Sequence, residues 1–210
     1  MQTFDLLVRG GTVVSPGGCE RADIGVADGV IGAVGRDLEG GARATIDAAG
    51  LHVLPGVVDA HVHSPSRPEL KAGENAFAAW GGIAGCQTFL RVLLTEAPRR
   101  GLPLEAIARL CADAPARRFR LDGKGSLVPG ADADLALVDL RGEAARSASE
   151  LLTRHRLSPF VGRTLRGRVV RTLVRGSTVC LGGAIVAPPG GRLARPRPGR
   201  AAEAMSLESM

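Results

Sequence analysis

The chain has 210 residues, 45% of them hydrophobic, which suits one domain with at most a small appendage. Aromatic residues make up only 3%, with Trp80 alone, five Phe and no Tyr, so the stacking platforms of single-strand nucleic-acid binders are not on offer. The formal charge is +6, but the 27 basic residues, all Arg except Lys71 and Lys124, are scattered without a block, and no nucleic-acid partner is indicated.

Cys19, Cys86, Cys111 and Cys180 lie far apart with no Cys-x-x-Cys pair, which speaks against a zinc ribbon and against a disulfide framework. The start, from Met1 to Pro16, has no basic stretch ahead of an apolar one, and no run reaches the roughly 18 apolar residues of a membrane helix. The expectation is a reduced, cytoplasmic chain with no membrane partner.

Residues 4–60 read as short strands punctuated by glycine. Phe4–Arg9 and Thr12–Val14 flank Gly10-Gly11. Ala22–Val26 alternates with a period of two, Asp28-Gly29 supplies a hairpin turn, and Val30–Val34 returns. Thr45–Asp47 and His52–Leu54 add two more strands, and Val57–His63 reads as another. Glu74–Trp80 is a helix candidate, followed by a loop at Gly81, Gly82 and Gly85 that is too glycine-rich for a helix interior. Cys86–Glu96 regains helical spacing. Pro103 is placed to open a helix with Leu104, Ile107, Ala108, Leu110 and Cys111 on one face, and Pro115 limits its end. Residues 124–140 return to strand, with Leu135–Leu140 a nearly continuous apolar run; Leu151–His155 reads as a surface helix, and residues 161–187 give three short strands. The tail from Pro188 is rich in Pro, Gly, Arg and Ala, a composition that favours disorder.

The pattern predicts a mixed β fold with an α insertion. Residues 1–57 and 124–187 are expected to form a composite β-sandwich. Residues 58–123 form an insertion of one strand and helices, and residues 188–210 a disordered tail.

Chemistry concentrates at Leu54–His63, which reads Leu-Pro-Gly-Val-Val-Asp-Ala-His-Val-His. On a strand, residues two apart point the same way, so His61 and His63 would offer two imidazoles to a divalent metal. A hydrolytic zinc site needs three or more protein ligands and an open position for water. Asp59 is the one nearby carboxylate that could orient or add to such a pair. Taken alone, a His-x-His pair is as readily incidental as metal-binding. His52 and His155 read as structural or solvated.

The same segment, Pro55–His63, resembles the amidohydrolase superfamily. Asp5–Val14, Ala22–Ile24, Asp28–Ile31 and Ile46–Gly50 are similar to the N-terminal sandwich of its cyclic amidohydrolases, the dihydroorotase, dihydropyrimidinase and allantoinase group. Gly123–Leu127, Gly130–Leu135 and Val161–Val169 are similar to its C-terminal end. Within the group, Pro68–Lys71, Ala79–Gln87 and Leu152–Phe160 look most like the allantoinases. The resemblance implies a (β/α)8 barrel with a sandwich appendage and a binuclear site, of zinc or another divalent metal, that opens a cyclic amide in a ureide such as allantoin. It assigns His61 and His63 to the first-strand ligand pair, with Gly81, Gly82 and Gly85 as substrate-loop candidates.

The departure from that pattern is large. A complete barrel takes roughly 200 residues at the least, and the stretch between His63 and Gly130 is far shorter. Lys71 and Lys124 match non-ligand positions, so the bridging lysine has no counterpart, and neither do the later histidines. Ser64–Lys71 resembles the segment just after the last barrel strand, as if the first and last strand motifs were fused at His63. The sequence therefore implies a cyclic amidohydrolase by descent, with most of the barrel missing and no activity alone. The other reading is a non-catalytic sandwich module that associates with a full-length subunit or forms a homo-oligomer.

Overall fold

The computed structural model of the chain describes residues 3–62, 69, 75, 77–79 and 81–196. Among the described residues nine strands form one sheet: β1 (Thr3–Ser15), β2 (Gly18–Ala27), β3 (Val30–Gly35), β4 (Gly41–Asp47), β5 (His52–Pro55), β6 (Leu135–Ala145), β7 (Thr164–Val174), β8 (Ser177–Leu181) and β9 (Ala184–Ile185). Their order is β3-β2-β1-β5-β6-β7-β8-β9, with β4 pairing to β1. The helices are α1 (Phe89–Arg99), α2 (Leu104–Ala108) and α3 (Ala114–Arg118), with a π turn at Arg109–Asp113 joining the last two.

The hairpin signal at Asp28-Gly29 holds. Both residues have positive φ, 52° and 78°, as a two-residue primed turn requires, and Ala27 pairs with Val30 across it. The pair Gly10-Gly11 does not end a strand. It bends β1, whose register against β2 shifts between Val8 and Gly11. The first half of β1 then runs parallel to β4 and the second half parallel to β5.

β5 pairs antiparallel with β6, Pro55 opposite Leu135, so strands from the two ends of the sequence meet directly. Alternation explains why both faces are apolar here. Val13, Val53, Leu135 and Leu137 enter one core with Ile24, Val26, Ile31 and Ile46 from the outer strands. Val14, Leu54, Ala136 and Val138 point the other way and pack on Leu94, Ala97, Ile107 and Cys111 of the helices. A strand buried on both faces reads as an unbroken apolar run, which is what residues 135–138 show. Phe4 is the only aromatic among the buried core residues described, as the composition implies.

The structure corrects several expectations. Of the strand expected at Val57–His63, the described residues 57–62 are not strand: β5 stops at Pro55, and no described strand lies beside them to pair with. His63 is outside the described residues, as are Ser64–Pro68, Leu70, Lys71, the tail from residue 197, and Glu74, Ala76 and Trp80 of the helix candidate, whose other residues, 75 and 77–79, are loop and turn rather than helix. Residues 124–134 are loop, not strand. Leu151–His155 forms no helix, because the Gln87 side chain accepts the Leu152 N–H at 2.9 Å and donates to the Glu150 carbonyl at 2.7 Å, holding the segment open. Pro103 precedes α2 as its cap rather than occupying its first position. Pro115 does not end the helical run, which continues through α3. Leu110, within the π turn, is 57% exposed instead of joining the apolar face.

Candidate functional site

Hydrogen bonds hold the segment after β5 in place. Gly56 N–H donates to the Asp134 carbonyl at 2.8 Å, Val58 N–H to the Cys111 carbonyl at 2.8 Å, and His61 N–H to Asp59 Oδ1 at 3.2 Å. Asp59 and His61 therefore sit close together on a loop next to the helices, and both are exposed. The Asp59 carboxylate is turned to the backbone of its own loop, an Asx turn.

The Gly81–Gly85 loop leads into α1. The Gly85 carbonyl accepts the N–H groups of Thr88 and Phe89 at 2.8 and 2.7 Å, which starts the helix. Among the described residues, a Cβ at Gly81 or Gly85 would meet nothing within 4 Å, so packing against them does not explain these two glycines. Gly82 has φ +83°, a conformation that favours glycine.

Lys124 is held in the opposite role to a metal bridge. Its Nζ lies 2.7 Å from Asp132 and 2.6 Å from Asp134. Burial works to lower its pKa, but hydrogen bonds to the two aspartates outweigh burial and raise it. Asp134 also accepts the Arg175 N–H at 2.8 Å. His52 is half-buried on β5 and its Nδ1 has no hydrogen-bond partner among the described residues; burial lowers its pKa and nearby Asp139 partly offsets this. His155 lies in a turn.

Arg91, which the sequence did not single out, is 8% exposed within α1. Its guanidinium donates to the carbonyls of Gly167 and Leu165, each at 2.6 Å, and of Ala144 at 3.3 Å. The pairing of β6 and β7 is irregular between Asp139 and Glu143, and the arginine satisfies carbonyls close to that bulge. The only sequence sign was a basic residue among the apolar positions of a helix.

Two shallow hollows, of about 380 and 400 Å³, stand out. Arg117, Arg120, Lys124 and Ser126 help line one; Gly10, Arg21, Asp23 and Arg36 help line the other. Neither is lined by Asp59, His61 or the glycine loop. Among the described residues no three His, Cys, Asp or Glu side chains gather closely enough to hold a metal ion. Asp59 and His61 are exposed and belong to no such group among the described residues, so those residues alone do not fit a binuclear metal centre. No described helix is long and apolar enough to cross a membrane.

These strands, this loop and these helices have counterparts in known proteins. The profile of the amidohydrolase family matches residues 75–180, and the chain belongs to that family, in its cyclic amidohydrolase group. The particular relatives are allantoinases. That of Rubrobacter xylanophilus is 54% identical over 136 residues, 64% of this chain and 30% of the relative. That of Solibacter usitatus is 46% identical over 158 residues, 74% of this chain and 35% of the relative. The chain thus spans about a third of the length of the curated relatives it matches. Among solved structures, L-hydantoinase (dihydropyrimidinase) from Arthrobacter aurescens aligns with a TM-score of 0.77 at 16% identity, over 88% of this chain and 98% of that one. D-hydantoinase (dihydropyrimidinase) from a Thermus species gives 0.77 at 13% identity, over 87% and 97%. At such identities the likeness is one of fold.

Proposed function

We propose that this chain is the sheet scaffold of an allantoinase-type cyclic amidohydrolase, shortened inside its barrel, and that alone it does not open the ring of allantoin or a related ureide. The observation that carries this reading is the pairing of 54% identity to an allantoinase with coverage of only 30% of that relative. In this reading residues 1–57 and 124–187 form a composite β-sandwich unit. Residues 58–123 are what remains of the barrel, and the tail runs from residue 188.

Ring opening of a cyclic amide needs an activated water and a group to protonate the leaving nitrogen. A divalent metal such as zinc would supply the first. The candidates to hold it are His61 and His63, with Asp59 beside them and Gly81, Gly82 and Gly85 as substrate-loop candidates. That set falls short of the three ligands and separate acid–base group that hydrolysis requires.

The test is metal content after zinc exposure and dialysis, beside a His61→Ala/His63→Ala double variant, with allantoin ring opening followed in both. The expected result is less than one zinc per chain and no ring opening above background. Stoichiometric zinc that the double variant loses, together with turnover, would overturn the reading.

A second reading, a non-catalytic module that binds a full-length amidohydrolase subunit, is favoured by the apolar side chains around the insertion. Val57, Val62, Ile83 and Leu110 are 40%, 56%, 52% and 57% exposed. Co-elution with a full-length allantoinase separates the two readings.

A further inference from the structure

We infer that Pro115, through the wide turn that precedes it, positions the loop that carries Asp59 and His61. The helical run from Leu104 to Arg118 is continuous through α2, the π turn and α3. At a regular helix position the N–H of residue 115 would bond the carbonyl of Cys111. Proline has no N–H, and its ring crowds that carbonyl. The chain widens at Arg109–Asp113, where Ala114 N–H reaches back to the Arg109 carbonyl. Wide turns of this kind recur where a helix serves a site.

The carbonyl released in this way is used. Cys111 is 4% exposed, and its oxygen accepts the Val58 N–H at 2.8 Å. Val58 immediately precedes Asp59, and the Asp59 carboxylate in turn accepts the His61 N–H. Gly125, with φ +79°, packs closely on the same helical run. A Cβ there would collide with the Ala112 carbonyl and lie 2.7 Å from the Ala116 side chain. The geometry makes one chain of dependence: Pro115, the wide turn, the Cys111 carbonyl, Val58, then Asp59 and His61. Pro115 is a positioning residue in this scheme, acting through the Cys111 carbonyl.

The inference rests on the proposed function only in treating His61 as a side chain worth positioning; its geometry is independent of any metal. The test therefore uses the metal-free full chain. Pro115→Ala restores an N–H that competes for the Cys111 carbonyl. The expected result is a fold retained with equal or higher thermal stability, since proline is the poorer helix former. Amide exchange at Val58 should rise roughly tenfold, as for the loss of one hydrogen bond, and the imidazole NMR signals of His61 should move toward those of a free histidine. Val58→Pro removes the donor from the other end and leaves the helix intact; the same movement at His61 is expected, and this variant decides the matter if Pro115→Ala fails to fold. Unchanged Val58 exchange in folded Pro115→Ala, or unmoved His61 signals in the variants that fold, would overturn the inference, even if zinc binds. A chain that binds no zinc but shows these changes leaves it standing.

Discussion

Arg91 serves backbone carbonyls rather than a carboxylate, and this sets what its loss should do. Arg91→Ala leaves the Leu165 and Gly167 carbonyls buried without donors, and each orphaned group costs about 1–3 kcal/mol. A loss of about 3 kcal/mol in urea unfolding is expected. Arg91→Lys should recover little of it, since an ammonium cannot fork to both. His52 sets a pH dependence. Burial lowers its folded pKa below the ordinary value near 6.5, so the unfolded chain takes up the proton first as pH falls. The stability linked to His52 is therefore complete above pH 6.5 and is lost as pH drops below it toward the folded value. Melting temperature followed from neutral to mildly acid pH should fall less in His52→Gln than in the parent; equal slopes would count against this role.

At the scale of elements, packing and not helical periodicity decides the cost of a truncation. Leu137 on β6 is 1% exposed and Leu110 in the π turn is 57% exposed, although both read as core from the sequence. Leu137→Ala should cost about 2–5 kcal/mol, and Leu110→Ala less than about 0.5 kcal/mol; paired chemical denaturation curves would show it. The contrast marks what was legible beforehand. The hairpin at Asp28-Gly29, the apolar run of β6 and the helices near Phe89 and Leu104 follow from local chemistry, and they are present. The strand expected at Val57–His63 has the right composition but no neighbour to pair with, and pairing is a non-local condition. The helix expected at Leu151–His155 yields to the side chain of Gln87, more than 60 residues away. At the candidate site, Asp59 and His61 were legible as residue types. Their link to Cys111 was not, because it depends on a carbonyl that Pro115 leaves without its usual helical donor.

For the whole molecule, charge and exposed apolar surface pull in opposite directions. The chain carries +6 and resists self-association at low salt, while Val62, Ile83 and Leu110 stay more than half exposed. Salt screens the first effect and leaves the second. Light scattering should therefore show association rising with salt, and Leu110→Ser with Ile83→Ser should reduce it; association that falls with salt would point instead to charged contacts.

The pairing of Pro55 with Leu135 has one more consequence. Everything between those residues enters and leaves the sheet at two points about 5 Å apart. The sheet works as a clasp and the intervening chain as a cassette. The entropic cost of closing a cassette grows only slowly with its length, so lengthening or shortening its loops does little to the clasp so long as the helices still cover Val14, Leu54, Ala136 and Val138. In such an architecture the part of a protein that keeps it folded and the part that performs chemistry can be inherited, lost or exchanged separately.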